Sequence, residues 1–108
     1  MSVDEFVGTE VAVVGMAGRL PGAPDLCAYW NNLKSGVESI TRYSQEELRD
    51  AGVDPERIND PDFVPASGML EGFDLFDASF FGFNPQDAAI MDPQHRVFLE
   101  LAWQAIEH

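Results

Sequence analysis

The chain has 108 residues, 45% of them apolar and 11% aromatic, which is enough to collapse around a core rather than remain a disordered tail. Its 19 acidic and 6 basic side chains leave a formal charge of −13, which repels phosphate backbones and anionic lipid surfaces and argues against nucleic-acid or membrane partners. The single cysteine, Cys27, excludes an internal disulfide and a cysteine-rich zinc site, and it suits a reducing compartment, the cytoplasm.

Residues 1–9 lack the basic and long apolar regions of a secretory signal, so they read as a short leader, too short for a coiled-coil docking helix. Val11-Ala12-Val13-Val14 is a continuous apolar run ended by Gly15, the pattern of a strand buried on both faces of a parallel sheet. The longest uninterrupted apolar stretch, 11–17, falls far short of the roughly 20 residues of a membrane-spanning helix, which predicts a soluble protein. Residues 15–24 form a Gly/Pro-rich turn, after which Asp25 caps a helix carrying Leu26, Tyr29, Trp30 and Leu33 and ended by Gly36. Ser44 and Glu47 have the spacing of a capping box, which predicts a short helix over 45–51 closed by Gly52. Asp54-Pro55 and Asp60-Pro61 then punctuate an irregular excursion.

Residues 66–70 predict a weak strand, and residues 74–81 a short amphipathic helix with Phe73, Phe76 and Phe80 as a core stripe. Asn84-Pro85 caps another short helix. Asp92 and Pro93 begin the terminal one, as N-cap acceptor and as a residue already set to helical φ. In that helix Val97, Phe98, Leu99, Leu101, Ala102, Trp103, Ala105 and Ile106 cover most of the circumference, leaving a polar stripe of Arg96, Glu100, Gln104 and Glu107. Such a helix requires neighbours on several sides. A buried parallel strand likewise cannot satisfy its backbone groups alone, so the inventory is incomplete for a closed α/β domain.

The candidate sites are weak on their own residues. The loop from Gly15 to Gly22 follows a strand pattern and precedes a helix, but it matches neither a dinucleotide fingerprint nor a P-loop, and Pro21 and Asp25 disfavour an anion there. It reads as a structural turn. Cys27 has no histidine nearby in sequence and no turn to hold it at a helix N-terminus, so it reads as a packed or half-buried thiol. His95 and Asp92 offer two metal ligands with no third spaced to join them. His108 is the last residue in the sequence and receives no role. Glu71, Asp74 and Asp77 lack the calcium-loop pattern, and the two aspartates read as helix-start residues. No catalytic, cofactor-binding or metal residue is assigned.

Taken in order, Val11-Ala12-Val13-Val14-Gly15-Met16-Ala17-Gly18-Arg19-Leu20-Pro21-Gly22-Ala23, Tyr29-Trp30-Asn31-Asn32-Leu33, Phe76-Asp77-Ala78-Ser79-Phe80-Phe81-Gly82 and Met91-Asp92-Pro93-Gln94-His95-Arg96 resemble the start of a ketosynthase domain. The family is that of the β-ketoacyl synthases of modular polyketide synthases. The resemblance runs from about Glu10 to the end. The segment from Ser44 to Leu48 with Ala51 to Pro55 is similar to the multi-enzyme branch. Gly18 stands where many members carry Cys, Asn84-Pro85-Gln86-Asp87 replaces a commoner Ser-Pro-Arg-Glu, and Leu101 sits where a small or sulfur-bearing residue is frequent.

The resemblance implies residues 10–108 as the N-terminal part of a thiolase-like α/β/α/β/α fold, mostly helical here with one buried strand and one weak strand. It implies a homodimer that takes an acyl chain from an acyl carrier protein, on phosphopantetheine, and condenses it with a malonyl-type extender by decarboxylative Claisen chemistry. The nucleophilic Cys and two His of the family fall downstream of His108. Cys27 does not match the nucleophile motif, and His95 belongs to a structural signature. The expectation is the N-terminal portion of a ketosynthase, from a polyketide synthase or hybrid assembly line, without condensing activity of its own. The alternatives are a split or remnant piece that assembles with a separate polypeptide, and a small independent interaction domain.

Overall fold

The computed structural model describes residues 8–108, so most of the leader, residues 1–7, lies outside the described residues. Asp25 opens α1 (Leu26–Ser35), its carboxylate accepting from the Ala28 amide. Gly36 closes α1 at φ 65°, donating to the Leu33 carbonyl while Val37 donates to that of Asn32, a pairing that satisfies helix-end carbonyls. After β1 (Ile40–Arg42) the expected capping box is present at the start of α2 (Gln45–Asp50). Glu47 N donates to Ser44 Oγ at 3.1 Å, and Ser44 N donates to Glu47 Oε2 at 2.7 Å. Gly52, at φ 83°, ends the turn after α2.

The excursion that follows is less irregular than expected. Asp54 caps α3 (Pro55–Ile58), with Pro55 in the first turn where its missing N–H costs nothing. β2 (Ala66–Gly68) then pairs antiparallel with β1, placing Ile40 opposite Gly68 and Arg42 opposite Ala66. Tyr43 N donates to Pro65 O at 2.8 Å and extends the pairing by one rung. The weak strand of the sequence therefore forms, with a partner that sequence reasoning missed.

Two expectations are corrected. Val11 to Val14 belong to no strand, and Val11 and Val14 are 91% and 88% exposed. A two-sided strand needs strands on both edges, and no described strand pairs with these residues. The helix expected over 74–81 is a single turn: Asp77 accepts from Phe80 N, and Gly82 and Phe83 close it onto the Ser79 and Ala78 carbonyls. Gly82 at φ 76° stops propagation before the nucleus gains a second turn. Asp77 keeps its expected role as the starting residue; Asp74 does not begin a helix.

Beyond this turn lie α4 (Pro85–Ile90), capped by Asn84, and α5 (Pro93–Glu107), capped by Asp92 Oδ1 on the Gln94 amide at 2.8 Å. Met91, extended at ψ 135°, separates the two helices. Arg96 reaches back from α5, Nη1 donating to Ala88 O at 3.1 Å and Nη2 to Phe73 O at 3.4 Å. The rings of the 76–83 turn pack on one another and on α5. Phe76 stacks on Phe81 at 5.2 Å, and Phe80 meets Trp103 edge to face at 4.9 Å. The expected core stripe is thus corrected to a surface aromatic knot of Phe76, Phe80, Phe81 and Trp103, in which Phe80 and Trp103 stay about half exposed, and Phe73, also exposed, makes no ring contact with it.

Very little of this is interior. Among the described residues only Ala23, Leu48, Ile58 and Ala88 are buried apolar side chains. The accessible surface is 9011 Å², about half as large again as the roughly 5,900 Å² of a compact monomer of 11.9 kDa. The radius of gyration is 19.8 Å, against about 13 Å for a compact domain of similar length.

Candidate functional site

The loop from Gly15 to Ala23 is the point where distant segments meet. Leu20 and Ala23 exchange backbone hydrogen bonds of 2.9 Å in both directions, across a turn that needs Gly22 at φ 71°. Asn32 of α1 donates to the Gly22 carbonyl at 3.0 Å, and Ala23, 2% exposed, is the most buried of the four core residues. A side chain at Gly18 would run into Leu26 of α1, one at Gly68 of β2 into Pro21, and one at Gly15 into the Ala105 carbonyl of α5. These glycines permit close approach of backbone. Leu20 and Ala23 spend their amides on each other, so this part of the loop is the expected structural turn.

Arg19 joins this loop to α5. Its Nη2 lies 3.2 Å from Glu100 Oε2, each side chain about one quarter exposed (23%). The contact is one of charge, out of line for a hydrogen bond, and Arg19 Nε and Nη2 are sequestered from solvent without a hydrogen-bond partner. The sequence put Glu100 on a polar stripe and gave Arg19 no role. The available signal was an arginine inside a glycine loop of a chain with few cations.

The remaining candidates stay apart. Cys27 is exposed and sits in the first turn of α1, which corrects two expectations, that its thiol is packed or half-buried and that no helix start holds it; the Asp25 carboxylate already caps that end. Cys27 and His108 line one open groove of about 430 Å³ with Met16, Trp30 and Gln104. No hydrogen bond or ion pair engages either side chain among the described residues. His95 is exposed on the first turn of α5 and Asp92 is consumed as its cap. Glu71, Asp74 and Asp77 are exposed, and no group of three or more possible metal ligands occurs among the described residues. Among the described residues no helix is long and apolar enough to cross a membrane.

Comparison with known proteins gives this arrangement its context. Residues 8–108 match the family model "Beta-ketoacyl synthase, N-terminal domain". The chain belongs to the β-ketoacyl synthase family. A phenolphthiocerol/phthiocerol polyketide synthase polypeptide of Mycobacterium tuberculosis is 53% identical over 107 residues, 99% of this chain and 7% of that protein. Polyketide synthase PksN of Bacillus subtilis is 46% identical over 97% of this chain and 2% of its own length. Ketosynthase twelve of the bacillaene polyketide synthase of Bacillus amyloliquefaciens superposes with a TM-score of 0.75 at 48% identity, over 89% of this chain and 17% of that one. The solved ketosynthases establish the thiolase-like fold class, of which this mostly helical chain with its small sheet spans about a sixth.

Proposed function

We propose that this chain is scaffold for a polyketide-synthase ketosynthase whose reacting groups lie in polypeptide outside it. On this reading the complete domain takes an acyl chain from the phosphopantetheine of an acyl carrier protein. It joins that chain to a malonyl-type extender with loss of carbon dioxide, and works as a homodimer. Residues 10–108 act as one portion of that domain, and neither Cys27, His95 nor His108 takes part in the chemistry.

The observation that carries the reading is the surplus of apolar surface. Val11, Val14, Ile90 and Ile106 are each more than four-fifths exposed, far beyond what a chain with its own core leaves in water. The total accessible surface, polar and apolar together, exceeds that of a compact monomer by about 3,000 Å², more than the roughly 800 Å² per partner that a standard interface covers. That quantity suits a piece wrapped by the rest of a domain better than an independent interaction module.

The test is a graft. A bacillaene ketosynthase in which this chain replaces the matched segment should fold cooperatively and acquire an acyl group from an acyl thioester, read by intact-protein mass spectrometry. The lone chain should acquire none. An acyl adduct on Cys27 of the lone chain, or a graft that does not fold, overturns the proposal.

A further inference from the structure

We infer that the Arg19–Glu100 ion pair is a latch that holds the segment before the glycine loop against the C-terminal half of α5. The run from Val11 to Val14 is thereby presented in a fixed place rather than left as a loose end. The inference deepens the scaffold reading, because a preset run is what a strand from the rest of the domain would meet.

Three observations converge on it. Val11 to Val14 form no strand and belong to no hydrogen-bonded ladder, so nothing in their own backbone fixes their position. Gly15, the next residue, runs so close to Ala105 that a Cβ there would collide with the carbonyl, so the chain meets α5 at the residue where the exposed run ends. Arg19 and Glu100 then tie the same two elements together four residues further along the loop, about one and a half turns back along the helix. A pair with each side chain only 23% exposed is less screened than a surface pair, so its attraction resists salt better than that of the exposed Arg42–Glu38 contact. Arg19 Nε and Nη2, shut away from water without hydrogen-bond partners, make that arginine dependent on Glu100 for compensation. The latch is electrostatic, whereas the Gly15 contact is one of shape. Removing the charge therefore frees the segment without filling the space it occupies.

The experiment places a nitroxide on Val13→Cys in a Cys27→Ser background of the whole chain and reads relaxation of the Trp103 to His108 amides by NMR. In the parent these amides should be broadened. Arg19→Met and Glu100→Gln should each recover their intensity, with the population of the held state falling about fivefold or more, in line with coupling between contacting residues. The swapped pair Arg19→Glu with Glu100→Arg should restore the broadening. Amides of residues 45–58 serve as the folding control. A parent without broadening, or broadening that survives Arg19→Met, overturns the latch. Where a single variant also disturbs residues 45–58, the swapped pair decides, recovery supporting the latch and no recovery refuting it. The measurement needs no other polypeptide, so the latch and the scaffold reading fail separately.

Discussion

Two regions of this chain differ in how sequence becomes strand, and they behave in opposite ways. Residues 40–68 carry two three-residue strands of modest propensity, Ile40–Arg42 and Ala66–Gly68, which find one another across two capped helices that bury Leu48 and Ile58. Residues 11–14 carry the better strand sequence, nearly all β-branched, and make no strand at all. The difference lies in where the partner is. An antiparallel pair closed by a local excursion completes its hydrogen bonds within its own segment. A strand buried on both faces depends on neighbours contributed from elsewhere in the fold. Propensity describes what a backbone tolerates; pairing decides what it becomes.

The sharpest way to break this comparison is to remove the small core of the first region. Leu48→Ala takes a buried side chain from beneath the α2–α3 turn and should cost about 2–4 kcal/mol, with chemical-shift changes spread over residues 40–68. The 76–83 aromatic knot, whose rings pack on Trp103, should keep its shifts and its tryptophan fluorescence. An NMR-monitored denaturant titration measures both. If the knot and the 40–68 segment melt together at a lower midpoint, the two regions are one cooperative unit and the contrast is lost.

A smaller effect sharpens the account of why the first region is self-sufficient. Ser44→Ala removes the acceptor for the Glu47 amide and leaves Glu47 reaching back to an uncapped turn, so α2 should lose about 1 kcal/mol. The loss should be read in faster exchange of the Glu47 and Leu48 amides. Ser44→Asp should recover most of it, because a carboxylate accepts the same hydrogen bond at the positive end of the helix.

Legibility in the sequence follows the same division. The ends of α1, α2, α4 and α5 are chemically marked, since Asp25, Ser44, Asn84 and Asp92 each place an acceptor where the first amides need one, and all four cap as expected. These are local events, decided within three or four residues. β1 was missed because Ile40-Thr41-Arg42 has no alternation long enough to notice and gains its identity only from residues 66–68. The helix over 74–81 was over-extended because the phenylalanine spacing fits helical period, while Gly82 and the packing of Phe80 on Trp103 favour a single turn. In the glycine loop, the turn itself was legible from Gly and Pro. Its contacts with Ala105 and Glu100 were not, because they link positions some 80–90 residues apart, and sequence periodicity carries no signal over that distance. The family motifs were legible because they preserve residue types and not contacts.

The smallest effect in the lone chain separates the two explanations for the bare valines. If Val11 to Val14 are exposed because their neighbours are supplied by other polypeptide, the cost of truncating Val14 must depend on whether that polypeptide is there. In the lone chain Val14 is 88% exposed, and Val14→Ala should change stability by less than about 0.5 kcal/mol. In the grafted ketosynthase the same substitution removes buried methyl groups at about 0.8 kcal/mol each, with a cavity added, and should cost about 2 kcal/mol. Denaturant midpoints of the two pairs of proteins give the comparison directly. Equal and negligible costs in both would mean that the run stays in water even in the assembled domain. The contrast between the two regions would then reflect sequence alone and not the location of their partners.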